Sequence, residues 1–267
     1  MVILRVFQIC KNLILIVSPF DGVPFLKMIC YTCQENQRKE NPTMKLLKWL
    51  LIVCAAGMVI GGGYVCVKGY SLLDQALSSE SLEDKIDELR QKDGYTSLAE
   101  LPDTYLQAVV AVEDHRFYSH HGVDWRSILR ACWNNLKAGE IVEGGSTITQ
   151  QLARNLYLNQ DQTLSRKVAE ALLAWQLEDQ YDKEEILEFY VNIIYFGDGY
   201  YGVGDACRGY FHKEPSQMNE DECTLLAGIP NAPSVYAPTV NPELALERQE
   251  QVESCMEQYV QEGKEAA

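Results

Sequence analysis

Basic residues are scarce in this 267-residue sequence, which carries 23 lysines and arginines against 38 aspartates and glutamates, a net charge of −15. The deficit is uneven, because residues 1–70 hold eight basic and three acidic residues, a balance of +5 that leaves −20 for residues 71–267. Proteins that bind DNA or RNA present a basic stripe to the phosphates. The composition therefore predicts no nucleic-acid partner, and an anionic ligand would need a few local basic groups.

Sequence typical of β-strands is also lacking. Beyond the apolar N-terminal part, apolar residues recur at a helical period, and no alternating or β-branched runs could supply a sheet. Gly197 to Gly202 reads G-x-G-x-x-G, but a dinucleotide site needs that loop inside a βαβ unit, so we interpret the glycines as a tight turn. Helices are expected at 103–113, 124–138, 147–157, 163–180, 183–192, 219–228 and 243–262, the last one solvated because it is rich in Glu and Gln.

Patterns for metal cages and disulfide frameworks are missing as well. The four histidines form no H-E-x-x-H or comparable arrangement. The nine cysteines have the spacings of neither a disulfide framework nor a zinc site. Cys30 and Cys33 make a single C-x-x-C pair, which alone is weak evidence for a metal or redox function. The sequence thus predicts no metal held by a protein cage.

One long run without charge is present, from Trp49 to Val67. As a helix its 19 residues span about 28 Å, close to the ~30 Å hydrocarbon core of a membrane. Lysines and arginines cluster before it, which predicts a cytoplasmic N-terminus and an extracytoplasmic body at the plasma membrane. We therefore predict a single-pass anchor at 46–68, followed by amphipathic linker helices at 71–97. Residues 1–43 are expected to be a cytoplasmic leader or a mis-assigned extension.

Four polar blocks follow in order. The first, 113–122, sets an acidic pair, a phenylalanine and a histidine after the apolar run 108–112, where burial tends to raise the pKa of a carboxyl towards that of a useful base. In the second, 144–151, two glycines lead into a capped helix start, which is a natural anion site. The third, 166–170, pairs Arg and Glu on one helix face, and the fourth, 183–192, is an amphipathic helix. Each block alone could be purely structural.

Together and in this order, the four blocks resemble the peptidoglycan glycosyltransferase family (glycosyltransferase family 51), which polymerises the glycan strands of bacterial cell walls. The resemblance covers about 98–240 and implies a mainly α, lysozyme-like domain with two lobes around a long groove. Residues 241–267 are expected to form a C-terminal helix. The Ser-x-x-Lys and Lys-Thr-Gly signatures of a penicillin-binding transpeptidase domain are lacking, so the resemblance is to a monofunctional biosynthetic peptidoglycan transglycosylase.

The resemblance implies the chemistry. Lipid II would be joined into β-1,4 glycan strands with inversion and release of the lipid pyrophosphate. Glu113 would take the proton from the 4-hydroxyl of the incoming sugar. Glu170 would act near the donor phosphates, through basic neighbours or a divalent cation such as Mg²⁺ or Mn²⁺. No organic cofactor is implied. The residues expected to bind substrate or to shape the surroundings of the base are Asp114, Phe117, His120, Ser146, Thr147, Gln151, Arg154, Asn155, Arg166 and Lys167.

Two residues depart from the family pattern. Arg154 stands where lysine is common, and Gln162 stands where a basic residue is usual, which would weaken phosphate binding. Two other functions stay open: a lysozyme-like glycan hydrolase, which also uses paired carboxylates in a helical groove, and a non-catalytic cell-wall scaffold. The expected partners are lipid II, the growing glycan strand, the plasma membrane and other cell-wall synthesis proteins.

Overall fold

The computed structural model describes residues 42–158 and 163–265. Within those ranges every regular element is a helix, and β-pairing is limited to two isolated bridges. The mainly α prediction is therefore confirmed. Most of the predicted leader, the Cys30–Cys33 pair and Gln162 lie outside the described residues.

Helices follow one another through short turns. Seven of them match the ranges that the periodicity predicts to within three residues at each end. The α-helices of the described ranges are α1 (Pro42–Ser79), α2 (Leu82–Arg90), α3 (Asp103–Glu113), α4 (Trp125–Ala138), α5 (Ile148–Tyr157), α6 (Leu164–Gln180), α7 (Lys183–Ile193), α8 (Val203–Phe211), α9 (Glu220–Gly228), α10 (Pro233–Tyr236) and α11 (Pro242–Glu265). Short 3₁₀ turns lie at Leu98–Glu100, Phe117–Ser119, Pro215–Gln217 and Ile229–Asn231.

Two compact units divide the chain, one ending at Gly61 and the other beginning at Gly62. In the first unit α1 exposes large apolar side chains such as Leu50 and Met58. Among the described helices, α1 is the one long and apolar enough to cross a membrane, with a mean hydropathy of 2.3 over its most apolar window. An apolar stretch that no protein core covers is typical of a membrane span. The helix therefore fits the predicted single-pass anchor.

In the second unit the segment predicted as a linker packs into the protein body. α1 continues to Ser79, and its Leu73 is buried. α2 begins after Ser81, whose hydroxyl caps the helix by accepting a hydrogen bond from a backbone N–H in the first turn. Ile86 and Leu89 of α2 are buried, and this helix packs on α7. The amphipathic pattern of residues 71–97 therefore arises because these helices pack on the core, and not because they form an exposed linker.

Two groups of helices form the centre of the second unit. In one, α3, α9 and α11 pack on one another, and in the other α5 packs on α6 and α7. The largest fully buried side chains include Tyr105 of α3, Phe189 and Tyr190 of α7, and Phe117 and Phe196 from the turns. The apolar faces of both groups thus share one core, and a groove opens between the groups, in agreement with the two lobes that the resemblance implies.

The prediction that the last helix is solvated is wrong. α11 packs along α3 and α9, with Ala245 and Val252 buried and with Met256 and Tyr259 partly buried against the core. These four positions recur at a helical period and form an apolar stripe. The high content of Glu and Gln on the other faces of the helix hid that stripe.

The glycine-rich segment before α8 is a tight turn, as predicted. Gly197, Gly199 and Gly202 all have positive φ angles, of 91°, 86° and 94°, a conformation that glycine adopts without strain. The Tyr200 N–H donates to the Gly197 carbonyl at 2.8 Å. The chain then enters α8, a helix that was not predicted, because its two internal glycines lower helix propensity.

Candidate functional site

A cavity of about 570 Å³ lies between the two helix groups. A second cavity of about 350 Å³ shares Gln151, Arg154 and Pro230 with it, so the two form one continuous groove. The larger cavity is bounded by the end of α3, the start of α4, the segment before α5, and α11. Its charged lining side chains are Glu113, Asp114, His115, Asp124, Arg130, Glu143, Arg154, Arg248 and Glu262.

Glu113 is the last residue of α3 and points into the larger cavity. Its Oε2 accepts a hydrogen bond from Nε2 of Gln151 at 2.8 Å. Its Oε1 is buried and has no hydrogen-bond partner among the described residues. Burial raises the pKa of Glu113, while the Gln151 hydrogen bond and the charges of Arg248 and Arg154 oppose that rise. The result is a carboxyl with one oxygen held by the protein and one available to a ligand.

Gln151 is itself oriented by a buried tyrosine. The hydroxyl of Tyr190 donates to Oε1 of Gln151 at 3.2 Å, which leaves the amide nitrogen to face Glu113. Tyr190 is fully buried, and burial raises the pKa of its hydroxyl far above the usual range, so the hydroxyl stays a donor. Gln151 was predicted to bind substrate, which stays a prediction; in the structure its amide holds the carboxyl of Glu113. Tyr190, inside the fourth block, was not predicted as a site residue.

Asp114, Phe117 and His120 lie behind Glu113. Asp114 is buried and accepts from the backbone N–H of Ile148 at 3.0 Å and from Nε2 of His120 at 2.9 Å. The ring of Phe117 is fully buried, between the edge of His120 and the ammonium of Lys183, which lies 4.4 Å from the ring centre. These side chains fix the turn after α3 and so shape the surroundings of Glu113. Their direct contact with a substrate stays a prediction.

The second block forms the cap of α5. Thr147 accepts from the Gln150 N–H at 3.1 Å and donates to the carbonyl of Gly122 at 2.7 Å, so its hydroxyl already has two protein partners. Ser146 precedes the cap, lines the larger cavity and accepts from Nζ of Lys167 at 2.7 Å. Of the two hydroxyls, that of Ser146 is better placed to meet a ligand, while Thr147 joins the first block to the second.

In the third block, on α6, one carboxylate is paired with two cationic side chains. Glu170 is fully buried, with one oxygen paired to Arg166 and the other 2.7 Å from Nζ of Lys167. Burial, together with the charges of Arg154 and Arg166, lowers the pKa of Lys167 to about 8, and the contact with Glu170 acts in the opposite direction. Glu170, Arg166 and Lys167 do not line either cavity, whereas Ser146, the hydroxyl that Lys167 contacts, lines the larger one. The predicted catalytic role of Glu170 and the predicted substrate contacts of Arg166 and Lys167 stay predictions.

Arg154 and Asn155 lie side by side on α5. Arg154 lines both cavities, and its Nε is buried without a hydrogen-bond partner in the described part of the chain. Asn155 lines the smaller cavity and donates from Nδ2 to the Gln151 carbonyl at 2.9 Å. Because Arg154 lies where the cavities meet and keeps an unused donor, it is a candidate partner for an anion in the groove.

The side of the groove formed by α11 was missed by the sequence reasoning. Arg248 lines the larger cavity, and Glu262 approaches the end of α3, where its Oε2 lies 2.7 Å from Nε2 of His115. A signal was available, since Arg248 lies three residues after Ala245 and four before Val252, both buried. A basic residue within an apolar stripe is a candidate for a groove wall.

The described residues do not fit the predicted divalent cation. No cluster of three or more His, Cys, Asp or Glu side chains that could hold a metal occurs in the described ranges. Both oxygens of Glu170, the carboxylate expected to serve a cation, face the cationic groups of Arg166 and Lys167. A carboxylate that two cations already neutralise is a poor ligand for Mg²⁺ or Mn²⁺, and we assign no step to a metal.

Comparison with known proteins gives consistent results. Residues 81–257 match the family model described as Transglycosylase. The chain is 42% identical over 191 residues to a Cupriavidus necator protein provisionally named a transglycosylase, covering 72% of the chain and 81% of that protein. It is 46% identical over 173 residues to penicillin-binding protein 1A of Aquifex aeolicus and 46% identical over 160 residues to penicillin-binding protein 1F of Bacillus subtilis. Those matches cover 65% and 60% of the chain but only 23% and 22% of the two penicillin-binding proteins.

Proposed function

The chain belongs to the transglycosylase family, the peptidoglycan glycosyltransferases of glycosyltransferase family 51, and we propose that it polymerises lipid II into the β-1,4 glycan strands of a bacterial cell wall. One observation carries this proposal. Glu113 presents a buried oxygen without a protein hydrogen-bond partner to a groove that also holds the unused donor of Arg154. The pair combines a proton acceptor with a cation beside it.

The proposed reaction is a single displacement. The 4-hydroxyl of the acceptor sugar attacks the anomeric carbon of the donor, and Oε1 of Glu113 takes the hydroxyl proton. As the new carbon–oxygen bond forms, the bond from the anomeric carbon to the pyrophosphate breaks, and its electron pair leaves with the pyrophosphate. An α-linked donor gives a β-linked product in this one step, because attack and departure occur on opposite faces.

The departing pyrophosphate requires positive charge and hydrogen-bond donors. Arg154 supplies an unused N–H where the two cavities meet. Lys167 and Ser146, joined at 2.7 Å, add an ammonium and a hydroxyl at the segment before α5. Glu170 would hold the two cations of α6 in place from below. These groups supply the local basic charge that the acidic composition requires.

Transfer is favoured over hydrolysis by the position of the second carboxylate. A glycan hydrolase uses two carboxyl groups that both face the scissile bond. Asp114, the next residue after Glu113, has its carboxylate occupied by the Ile148 N–H and by His120. It is therefore a poor candidate for a nucleophile or a second base. The groove itself argues against a scaffold without catalytic function, because an unpartnered buried oxygen is costly unless a ligand uses it.

We place the protein in the plasma membrane through α1, with the second unit outside. A separate observation supports contact of the second unit with lipid: α4 exposes Trp125, Leu129, Trp133 and Leu136, which are 62% to 77% exposed. An exposed face of Trp and Leu beside basic residues is typical of helices that lie on a membrane surface. The basic residues of α4 are Arg126, Arg130 and Lys137. Protease added outside intact protoplasts should digest the second unit, and protection would contradict this orientation.

The reaction is tested by incubating the detergent-solubilised full chain with labelled lipid II. Glu113→Gln keeps the size of the side chain but removes the proton acceptor, so product should fall to background. Glu184→Gln, at an exposed position of α7, is the matched control and should keep wild-type activity. Glycan strands made by Glu113→Gln would refute the assignment of the base. Cleavage of finished glycan by the wild type, without polymerisation, would favour the hydrolase.

A further inference from the structure

Arg248 is an arginine whose position is fixed from three directions. Its Nε donates to the carbonyl of Gly228 at 3.4 Å, and its Nη1 donates to Oε1 of Gln251 at 3.0 Å. The guanidinium also lies over the ring of Tyr236, 5.8 Å from its centre. Nη2 has no hydrogen-bond partner in the described part of the chain. A long, flexible side chain held in this way is oriented before any ligand arrives.

The close packing around Arg248 involves Gly228, the last residue of α9. A Cβ atom at position 228 would lie 2.9 Å from Cγ of Arg248 and 3.3 Å from Cγ2 of Val252. The φ angle of Gly228 is −78°, so the backbone conformation alone does not require glycine. The absence of a side chain at Gly228 instead leaves room for Arg248 to pass between α9 and α11 and reach the groove.

Arg248 and Glu113 line the same cavity from two helices that pack on each other, α11 and α3. The carboxyl of Glu113 is destabilised in its charged form by burial and by the adjacent Asp114, and stabilised by Gln151, Arg248 and Arg154. Of the two arginines, Arg154 is the one with the unused buried donor. The charged and titratable groups around Glu113, in its cavity or in electrostatic contact with it, are Tyr105, Asp114, His115, Asp124, Arg130, Glu143, Arg154, Tyr190, Arg248, Cys255 and Glu262.

In this cavity the proposed reaction places two opposing requirements on Glu113, ionisation of its carboxyl and binding of an anionic substrate nearby. The base must be ionised when the acceptor hydroxyl arrives. In the proposed reaction, however, the donor pyrophosphate neutralises Arg154 and brings further negative charge into the cavity, and both effects favour protonation of Glu113. We infer that Arg248 is a positioning residue for the reaction: it keeps the Glu113 carboxylate ionised while an anionic substrate engages Arg154. The inference rests on the proposed function for its catalytic consequence, but the coupling that it requires between the two residues is expected in the absence of substrate as well.

The coupling can be measured without turnover, by thermal unfolding of the detergent-solubilised full chain. Arg248→Gln should raise the pKa of Glu113 in the folded state further above the unfolded value, which favours unfolding only where the carboxyl ionises. The loss of stability caused by Arg248→Gln should therefore be larger at about pH 8 than at about pH 5. In a Glu113→Gln background this pH-dependent part should vanish. A loss that is the same at both pH values, or that persists in Glu113→Gln, would overturn the inference and make Arg248 merely structural.

The rate of lipid II polymerisation supplies the second readout. In Arg248→Gln the acid limb of the pH–rate profile should move upward by about one pH unit, with nearly normal rates at high pH. Arg248→Lys, which keeps the charge, should move the limb less. Arg208→Gln removes one positive charge outside the groove, where Arg208 pairs with Asp205 and Glu214, and should leave the profile unchanged. A raised KM with an unshifted acid limb would make Arg248 a substrate contact and refute the inference.

The two readouts separate the possible failures. If the wild type makes no glycan strands but the pH-dependent coupling is present, the proposed function fails and the link between Arg248 and Glu113 stands. If strands are made but neither the unfolding cycle nor the acid limb responds to Arg248→Gln, the inference fails and the proposed function stands.

Discussion

Nε2 of Gln151 donates a hydrogen bond to Oε2 of Glu113 across 2.8 Å. The bond joins the N-terminal part of α5 to the end of α3, and the hydroxyl of Tyr190 orients the amide that makes it. Because only one oxygen of Glu113 is held, the other can accept a proton. Two consecutive hydrogen bonds thus connect Tyr190, in the core, through Gln151 to Glu113, at the groove.

Replacing Gln151 with leucine should lower polymerisation at neutral pH about 10- to 100-fold, because a hydrogen bond to a charged group contributes about 1.5–3 kcal/mol. Loss of that bond also raises the pKa of Glu113, so part of the activity should return at higher pH. The control is Tyr190→Phe, which removes only the bond that orients the amide and should cost less than about tenfold. Equal losses in both variants would contradict this division of roles.

The lowered pKa of Lys167 leads us to expect that the polymerisation rate falls at high pH. Burial and the nearby arginines lower its pKa to about 8, so above that pH the ammonium becomes neutral and stabilises the leaving pyrophosphate less. In Lys167→Arg the charge persists to much higher pH, and the basic limb should move upward by about two units or more. An unchanged limb in Lys167→Arg would exclude Lys167 as its source. The measurement is initial polymerisation rate against pH at saturating lipid II.

Val252 provides a stability test for α11. Its side chain is fully buried, so Val252→Ala should reduce the free energy of unfolding by about 1–3 kcal/mol and lower Tm by several degrees. Val260, on the same helix but 39% exposed, is the matched control, and Val260→Ala should change stability by less than about 1 kcal/mol. If the two variants unfold alike, α11 does not pack on the core as described.

Local signals explain how much of the fold the sequence predicts. Helical periodicity and caps such as Thr147 and Asp182 act within a few residues, so most helix ranges are predicted closely. The ordered blocks likewise predict that Glu113, Ser146 and Arg154 line one groove, and they do. Burial depth was not predictable in the same way. Nothing local distinguishes Glu170, which is fully buried and away from the cavity, from Glu113, which lines it.

Long-range packing explains the rest. Arg248 reaches the groove only because α11 returns to α3, and its path depends on a glycine in a third helix. The position of Arg248 depends on how three helices fit together. No hydrophobic period or motif within a single segment can predict it. The same holds for Tyr190. The sequence predicts that it lies on an amphipathic helix, but not that its hydroxyl bonds Gln151.

The packing of α11 against α3 also gives the protein an order of assembly. The two helices are separated in the chain by all of α4 to α10, and contacts between such distant segments form late in folding. A chain emerging from the ribosome has already presented Glu113, Gln151 and Arg154 long before the wall that carries Arg248 exists. The groove is then complete only when α11 has been synthesised and has packed on α3, long after the segment that carries Glu113.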